Sequence, residues 1–218
     1  MTEDRNVSAE TLAARLHAGL EALGLERLES RGAAALLSYI ELLVHWNRRY
    51  NLTAVRNPAE MVTRHLLDSL VVLPWSDGEL MLDAGTGAGL PGVPLAIARP
   101  QSRFLLLDSV GKKIRFLNHV KRELALDNVE PVQGRLESFR PVRRPDRIIS
   151  RAFSDLASFA SAARHLADRE TRLLAMKGKY PASELEALPG WLRVESVEEL
   201  SVPGLQEDRH LVIMSVSG

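Results

Sequence analysis

Three glycines at alternate positions, Gly85, Gly87 and Gly89, follow a short apolar run and precede Pro91. The apolar residues 80 to 82 predict a strand, and Pro91 suits the first turn of a helix. The glycines allow positive φ angles and let the backbone approach a ligand closely. A strand that runs into a glycine loop and then a helix is typical of a nucleotide-like site in an α/β sheet. This stretch therefore constrains the fold more than any other.

The spacing of these glycines departs from the dinucleotide fingerprint, which requires a glycine at the sixth position. Counted from Gly85, that position is occupied by Leu90. Asp83 lies two residues before the loop and adds negative charge where a diphosphate would be repelled. The pattern therefore favours a ligand that carries a cation, such as S-adenosylmethionine (SAM). A tight structural turn is the alternative for a GxGxG pattern alone.

The chain has 218 residues, of which 45% are hydrophobic, and it has no cysteine. This length and apolar content suit one large α/β domain or one domain with a helical extension. The lack of cysteine excludes disulfides, thiolate metal ligands and a cysteine nucleophile, and we expect no metal site. No run of about eighteen apolar residues exists, and the N-terminus lacks a signal-peptide pattern. We therefore expect a cytoplasmic protein that does not interact with membranes.

Strands and helices alternate from residue 77 onward, which predicts a doubly wound, mostly parallel α/β sheet. The last two strand-like runs, 192 to 202 and 210 to 216, are joined by a link too short for a helical crossover. An antiparallel hairpin is therefore expected at the sheet edge. This is the seven-stranded, Rossmann-like plan of class I SAM-dependent methyltransferases. Residues 1 to 76 are predicted to form an N-terminal helical extension packed on a methyltransferase domain, residues 77 to 218.

Three charged residues end predicted strands at the edge where open α/β sheets bind ligands. Asp108 ends the second strand, nineteen residues beyond Gly89, where a carboxylate can accept hydrogen bonds from ribose hydroxyls. Arg151 follows the fourth strand, and Lys177 lies at the equivalent edge of the fifth strand, which is expected over residues 171 to 176. A plain surface charge is the alternative interpretation of Arg151 and of Lys177.

A predicted third helix begins at Asn57 and carries Arg64, His65 and Asp68 on one surface, at spacings of three and four residues. One interpretation is an exposed ion-pair face with a partly buried histidine. The other is a surface that contacts a ligand. The pattern alone slightly favours the first.

Formal net charge is zero, but residues 111 to 151 contain eleven basic and five acidic residues, a net charge of +6. A solvated helical face is the ordinary explanation of such a run. A basic belt on the cofactor half of a neutral protein also suits a phosphate-backbone partner. We predict that Lys112, Lys113, and Arg143 or Arg144 bind RNA phosphates. The alternative RNA-binding surface is the N-terminal helices with Arg64 and His65.

Several short motifs occur together between about residues 40 and 214. They are Trp46-Asn47 with Asn51-Leu52-Thr53, residues 64 to 70 (RHLLDSL), residues 83 to 92 (DAGTGAGLPG), Leu107-Asp108-Ser109 with Lys112-Lys113, Ser150-Arg151-Ala152, and Met176-Lys177-Gly178. In this combination and order the chain resembles the RsmG (GidB) family, bacterial SAM-dependent methyltransferases of a guanine N7 in small-subunit (16S) ribosomal RNA. Where the family is expected to have Lys-Arg, this chain has Lys112-Lys113, which retains the charge but loses a planar donor group.

The resemblance implies cofactor contacts from the glycine loop and from the ends of later strands, namely Gly85, Leu90, Asp108, Leu136, Glu137 and Arg151. For Leu136 and Glu137 the residues alone favour a simple loop. Guanine N7 already presents an in-plane lone pair, so the implied reaction needs alignment and desolvation more than deprotonation. We therefore predict that Arg151 and Lys177 orient the substrate and the cofactor, and we assign no general base.

Two other functions stay open at this point. One is a methyltransferase of the same fold that acts on a small molecule or a protein, which would not need the basic belt. The other is a non-catalytic RNA-binding or assembly factor, which would have little reason to retain the glycine loop and Asp108. The expected partner is 16S ribosomal RNA, naked or in the small ribosomal subunit, and the expected oligomeric state is a monomer.

Overall fold

A computed structural model describes residues 8 to 28, 31 to 151 and 153 to 217. Within these ranges seven strands form one sheet in the order β3-β2-β1-β4-β5-β7-β6. The strands are β1 (Leu80–Ala84), β2 (Arg103–Asp108), β3 (Val129–Gln133), β4 (Arg147–Ser150), β5 (Arg172–Lys177), β6 (Leu192–Glu199) and β7 (His210–Val216). Strands β1 to β5 pair in parallel, which confirms the predicted doubly wound sheet.

The last strand pairs in the opposite direction. β7 runs antiparallel to both β5 and β6, so that His210 lies opposite Lys177 and opposite Glu199. The connection from β6 to β7 spans residues 200 to 209, which is too short to carry a helix back across the sheet. The predicted C-terminal hairpin is thereby confirmed.

Helices cover both faces of the sheet. They are α1 (Ala9–Ala22), α2 (Arg31–Tyr50), α3 (Pro58–Met61), α4 (Asp68–Leu70), α5 (Gly92–Ala98), α6 (Gly111–Glu123), α7 (Leu156–Ala163) and α8 (Ala182–Glu186). A π-helical turn, Val62–Leu67, joins α3 to α4 and is called the π segment below. Such turns replace regular helix mostly where a side chain must be re-aimed, frequently at functional sites.

Alternate residues of the central strands enter two separate cores. Met81 and Leu106 face the core that contains α1, α2, α5 and α6, whereas Leu82 and Leu105 face the core built on α7. This alternation follows from the two-residue period of a strand. Because both faces are covered, all five residues of β1 are buried.

The N-terminal helices share a core with the sheet rather than forming a separate one. Leu36 and Leu43 of α2 belong to the same buried cluster as Leu90, Val93 and Phe116. The division at residues 76 and 77 stays a prediction, because the two parts are packed together. No helix in the described ranges is both long and apolar enough to cross a membrane.

Candidate active site at the carboxyl ends of the strands

The glycine loop follows β1 with the backbone conformation that its sequence predicts. Gly85, Gly87 and Gly89 have φ angles of 72°, 63° and 97°, a region that residues with a Cβ rarely adopt. The amides of Gly85 and Thr86 donate to the carbonyl of Leu107 at 2.9 and 3.0 Å, which ties the loop to β2. The loop therefore lies at the carboxyl edge of the sheet, between β1 and β2.

Two glycines of the loop have opposite surroundings. A Cβ built on Gly89 would lie 2.5 Å from Val93 Cγ2 and 2.7 Å from Leu117 Cδ2, so this glycine allows the loop to pack on α5 and α6. A Cβ built on Gly87 would meet no atom closer than the Gly85 carbonyl oxygen, at 3.9 Å. Gly87 therefore presents an uncovered stretch of backbone, as a loop that accepts a ligand requires.

Asp83, near the end of β1, stabilises the glycine loop through hydrogen bonds. Its Oδ2 accepts hydrogen bonds from Thr86 Oγ1 at 2.6 Å and from the Gly92 amide at 2.8 Å. The carboxylate is fully buried, and burial raises its pKa to about 6 although the two hydrogen bonds favour the charged form. Its second oxygen, Oδ1, is buried with no hydrogen-bond partner among the described residues. A free acceptor beneath the loop fits a ligand that carries a cation.

Asp108 joins the end of β2 to the glycine loop. Its Oδ2 accepts from the Gly87 amide at 3.0 Å and from Lys113 Nζ at 3.0 Å, and its Oδ1 accepts from the Val110 amide at 2.9 Å. The predicted ribose-binding carboxylate therefore lies directly beside the uncovered loop. Lys113, predicted to contact RNA, forms an ion pair with Asp108 in this arrangement.

Leu136 and Glu137 lie in a short 3-10 helix, Leu136–Ser138, which follows β3 next to Asp108. The connection is close because the Gly134 amide donates to the Asp108 carbonyl at 3.1 Å. Leu136 is buried and Glu137 is exposed. Leu136 can thus supply an apolar wall and Glu137 a polar group at the same edge.

These residues fit SAM. Gly87 offers exposed backbone, Asp83 offers an unpartnered acceptor, and Asp108 offers a carboxylate beside both. An apolar wall with a few convergent polar groups is the usual composition of a nucleoside site. Within the described ranges no group of three or more His, Cys, Asp or Glu side chains could hold a metal ion.

A cavity of about 380 Å³ opens at the carboxyl ends of β4 and β5, on the edge that also carries the glycine loop. It is lined by Val55, Arg64, His65, Asp68, Arg151, Met176, Lys177, Gly178 and Arg209. Ser150 Oγ donates to the Ala84 carbonyl at 2.7 Å and so joins the end of β4 to the start of the loop. The cavity and the predicted cofactor site are therefore neighbours.

Asp68 organises the charges of this cavity. Its carboxylate is buried, and its two oxygens pair with Arg151 at 3.0 Å and with Arg209 Nε at 2.7 Å. Arg151 also donates to the Arg64 carbonyl of the π segment at 3.3 Å. The interpretation of Asp68 as part of an exposed ion-pair face is wrong, because Asp68 is buried and its partners are the residue that follows β4 and a residue of the β6-β7 connection.

Arg209 has no signal in the sequence. It lies in the connection between the last two strands, 141 residues from Asp68, and only the antiparallel pairing of β7 with β5 brings it to the cavity. Lys177 reaches the cavity as predicted, with its Nζ 2.8 Å from Glu184 Oε1 and 3.1 Å from the Ser154 carbonyl. Arg64 is more exposed and pairs with Glu207 at 2.5 Å.

His65 is held in the cavity wall by a network that begins in α2. Asn47 accepts from the Thr53 amide at 2.9 Å and donates to the Thr53 carbonyl at 3.0 Å. Thr53 Oγ1 lies 2.9 Å from His65 Nε2. Burial lowers the pKa of His65 to about 4, so the ring is neutral at neutral pH. Its Nδ1 is buried and has no hydrogen-bond partner in the described part of the chain.

Replacement of His65 tests this burial. His65→Gln keeps a polar group near the Nε2 position but cannot titrate. The wild-type histidine has an ordinary pKa of 6.5 when unfolded and about 4 when folded, so its contribution to stability is complete above pH 6.5 and is lost as the pH falls toward 4. Relative to the variant, the wild-type free energy of unfolding should fall by about 2 kcal/mol between pH 7 and pH 5.

Urea denaturation of both proteins at the two pH values measures this difference. Asp83 titrates in the opposite direction over the same range, but it is present in both proteins and cancels. Parallel pH dependence in the two proteins would mean that folded His65 is already protonated near pH 5.

Arg143 and Arg144 are not brought to this edge. They precede β4, near the amino end of β1, and pair with Glu79 at 2.5 Å and with Asp168 at 3.4 Å. Lys112 lies in the first turn of α6, just after Asp108, and is partly exposed. The predicted RNA-binding residues thus lie at two opposite ends of the strands: Lys112 at the carboxyl ends, and Arg143 and Arg144 at the amino ends.

Sequence comparison identifies relatives over most of the chain. A family model described as GidB, rRNA small subunit methyltransferase G, matches residues 33–212. The ribosomal RNA small subunit methyltransferase G of Pseudomonas aeruginosa is 54% identical over 197 residues, which are 90% of this chain and 92% of that protein. The protein of the same description from Pseudomonas syringae pv. tomato is 51% identical over 202 residues, 93% of this chain and 95% of that protein.

Solved structures show the same fold at low sequence identity. The O-methyltransferase TomG from Streptomyces achromogenes, in complex with SAM, has a TM-score of 0.57 and 16% identity over 83% of this chain and 90% of its own. A SAM-dependent methyltransferase from Aquifex aeolicus has a TM-score of 0.56 and 19% identity over 83% of this chain and 98% of its own. These likenesses confirm the class I methyltransferase fold.

Proposed function

Since this chain belongs to the GidB family of rRNA small subunit methyltransferase G proteins, we propose that it transfers a methyl group from SAM to the N7 atom of a guanine in 16S ribosomal RNA. The observation that carries this proposal is the 54% identity to a small-subunit methyltransferase over 90% of the chain. The geometry agrees, because the predicted cofactor loop and a cavity rich in arginine share one edge of the sheet.

The residues of the site act by positioning. Bound SAM supplies an electrophilic methyl group, and guanine N7 supplies a lone pair without losing a proton, so alignment is the main requirement. Asp108 and Gly87 would hold the ribose side of the cofactor, and the cavity beside Arg151 would receive the guanine. Arg151 and Lys177 face guanine O6 or a phosphate, where their donors orient the base.

Part of the positive charge in the cavity is neutralised by a carboxylate. Methylation at N7 makes the base cationic, and an uncompensated arginine nearby would oppose it. Asp68 lies between Arg151 and Arg209 and pairs with both, which offsets part of their charge. His65 is neutral near pH 7 and adds no further positive charge.

We also propose that the enzyme works in the cytoplasm as a monomer and that its RNA-binding surface extends from the cavity onto α6. Lys112→Ala should weaken RNA binding with little regard to sequence. For this variant, the slope of the logarithm of the RNA-binding constant against the logarithm of the salt concentration should be about one unit less steep, because one phosphate contact is removed. Fluorescence anisotropy of a labelled 16S fragment across a salt series measures the slope.

The double variant Arg143→Ala with Arg144→Ala tests the other half of the predicted belt. If RNA reaches the amino ends of the strands, the salt dependence of RNA binding should be about two units less steep in the double variant than in the wild type. An unchanged slope removes both arginines from the RNA-binding surface and leaves them as partners of Glu79 and Asp168.

Mass mapping of 16S ribosomal RNA tests the function itself. RNA from cells with this protein should carry one methylguanine that is lost when its gene is deleted and regained when the wild-type gene is restored. The position of the methyl group, at N7 or elsewhere, is read from the nucleoside. Identical methylation with and without the gene would refute the proposal.

A further inference from the structure

A second open pocket lies away from the cavity, where the end of α2 packs on α6. It has a volume of about 350 Å³ and is lined by His45, Trp46, Arg49, Tyr50 and His119. The Trp46 ring centre is 5.2 Å from that of Tyr50 and 5.3 Å from that of His119, with tilts of 31° and 36°. Three flat side chains, each partly exposed, thus form one shallow cluster, which is called the aromatic pocket below.

The core holds the aromatic pocket rigidly. Trp46 is only partly buried, but its ring lies 5.6 Å from that of Phe116, which is fully buried between α2 and α6. His119 lies one helical turn beyond Phe116, and its side chain is 26% exposed. A rigid platform loses little conformational entropy when a flat ligand stacks on it.

The surroundings of the aromatic pocket are strongly basic. The Arg49 guanidinium lies 5.8 Å from the centre of the Tyr50 ring, and Arg48 is exposed beside it on α2. On α6 the residues Lys112, Arg115 and Arg122 recur at helical spacing on the face that carries His119. A carboxylate, Glu123, lies among them and pairs with Arg122 at 3.2 Å, and its Oε1 is 3.6 Å from His119 Nδ1.

The aromatic pocket is joined to the cofactor loop through both of its helices. α6 begins just after Asp108, and His119 lies eight residues along it, about 12 Å at 1.5 Å per residue. On α2, Tyr39 donates from its hydroxyl to the Ala88 carbonyl of the glycine loop at 2.8 Å, and Trp46 lies seven residues beyond it. One strand of RNA could therefore span the active site and the aromatic pocket.

We infer that the aromatic pocket is a second RNA subsite, which stacks one unpaired base of the ribosomal RNA while the cations of α2 and α6 hold the adjoining phosphates; this rests on the proposed function. Exposed aromatic rings beside arginine are the platform that proteins use for single-stranded bases. A base inside a duplex is not free to stack on them. The subsite therefore selects an unpaired nucleotide near the modified guanine.

The fluorescence of Trp46 can report RNA binding to the aromatic pocket directly. The chain has three tryptophans, so Trp75→Phe with Trp191→Phe leaves the fluorescence of Trp46 alone. A single-stranded oligoadenylate of about twelve nucleotides should quench this fluorescence with saturation, because that length covers a typical single-strand site. The same strand annealed to its complement should quench little. The double variant should retain wild-type RNA affinity, which is the control.

Two further variants separate stacking from charge. Tyr50→Leu should lower the affinity for the single strand roughly tenfold at every salt concentration, since stacking is lost. Arg49→Gln should lower the affinity and also flatten the salt dependence by about one unit. Unchanged SAM affinity in both variants shows that the fold is intact.

The outcomes distinguish this inference from the proposed function. Equal quenching by duplex and single strand, or wild-type affinity in Tyr50→Leu, overturns the subsite while methylation of 16S RNA still stands. Mass mapping of 16S RNA tests the enzyme activity separately. If methylation is the same with and without the gene, the proposed activity is overturned, but the stacking of RNA on the aromatic pocket is not.

Discussion

SAM should fail to bind the Gly87→Val variant at concentrations that saturate the wild type. Gly87 has a φ of +63° and its uncovered face meets no protein atom within 3.9 Å, so a branched side chain there projects into the space that the proposed cofactor occupies. Overpacking of this kind costs about 3 kcal/mol or more, which is at least about a hundredfold in Kd. Isothermal titration calorimetry measures the loss.

The matched control for this variant is Gly24→Val. Gly24 has a φ of +67°, and a Cβ there meets no atom within 4 Å, so the backbone strain is similar. Gly24 follows α1 and belongs neither to the glycine loop nor to the residues that line the cavity. Both variants should lose similar stability, of about 1 to 2 kcal/mol, but only Gly87→Val should lose cofactor affinity. Equal affinity in both would move the cofactor away from the loop.

Arg151→Lys should lower turnover about a hundredfold, the effect of a misalignment near 1 Å in a reaction that depends on positioning. In the structure the guanidinium donates both to Asp68 at 3.0 Å and to the Arg64 carbonyl at 3.3 Å. Both contacts are made by one nitrogen, Nη1. A lysine ammonium retains the charge but has a single nitrogen, so it cannot make these contacts and also present the further planar donors of a guanidinium to a substrate. Single-turnover methylation of 16S RNA with saturating SAM measures the chemical step.

The control is Arg172→Lys, because Arg172 is 31% exposed against 29% for Arg151 and also pairs with a carboxylate, Glu195 at 2.6 Å. Its turnover should be unchanged. Folding stability should change little in Arg151→Lys, because Asp68 keeps a cation on each side. The shape of the pH-rate profile should also be retained. A new ionisation in the variant would contradict catalysis by positioning and would indicate a general base.

The N-terminal extension contributes directly to the site. Tyr39 of α2 bonds to the glycine loop, and burial raises the pKa of its hydroxyl far above the ordinary value, so it remains a donor at any physiological pH. Asp68 and His65, next to each other in space, form one wall of the cavity. The division into an extension and a catalytic domain therefore does not divide the function.

The proposed cofactor site could be predicted from the sequence because the patterns that indicate it are local in the chain. Positive φ angles require glycine, strand and helix periods differ, and a carboxylate at a strand end lies at the ligand edge by topology. Gly85, Gly89 and Asp108 accordingly lie where the sequence placed them. The C-terminal hairpin could also be predicted, because the connection between β6 and β7 is too short for a helical crossover.

The cavity was decided by tertiary structure. Arg151 and Asp68 are 83 residues apart, and Arg209 and Asp68 are 141 apart, so no periodic pattern relates them. The same helix spacing that placed Arg64, His65 and Asp68 together suited a solvated face equally well. In the folded chain His65 and Asp68 are buried in the cavity wall, whereas Arg64, which also lines the cavity, remains more exposed. The sequence by itself determined which edge carries the proposed cofactor site, whereas the fold decided which charges line the cavity, because only packing removes them from water.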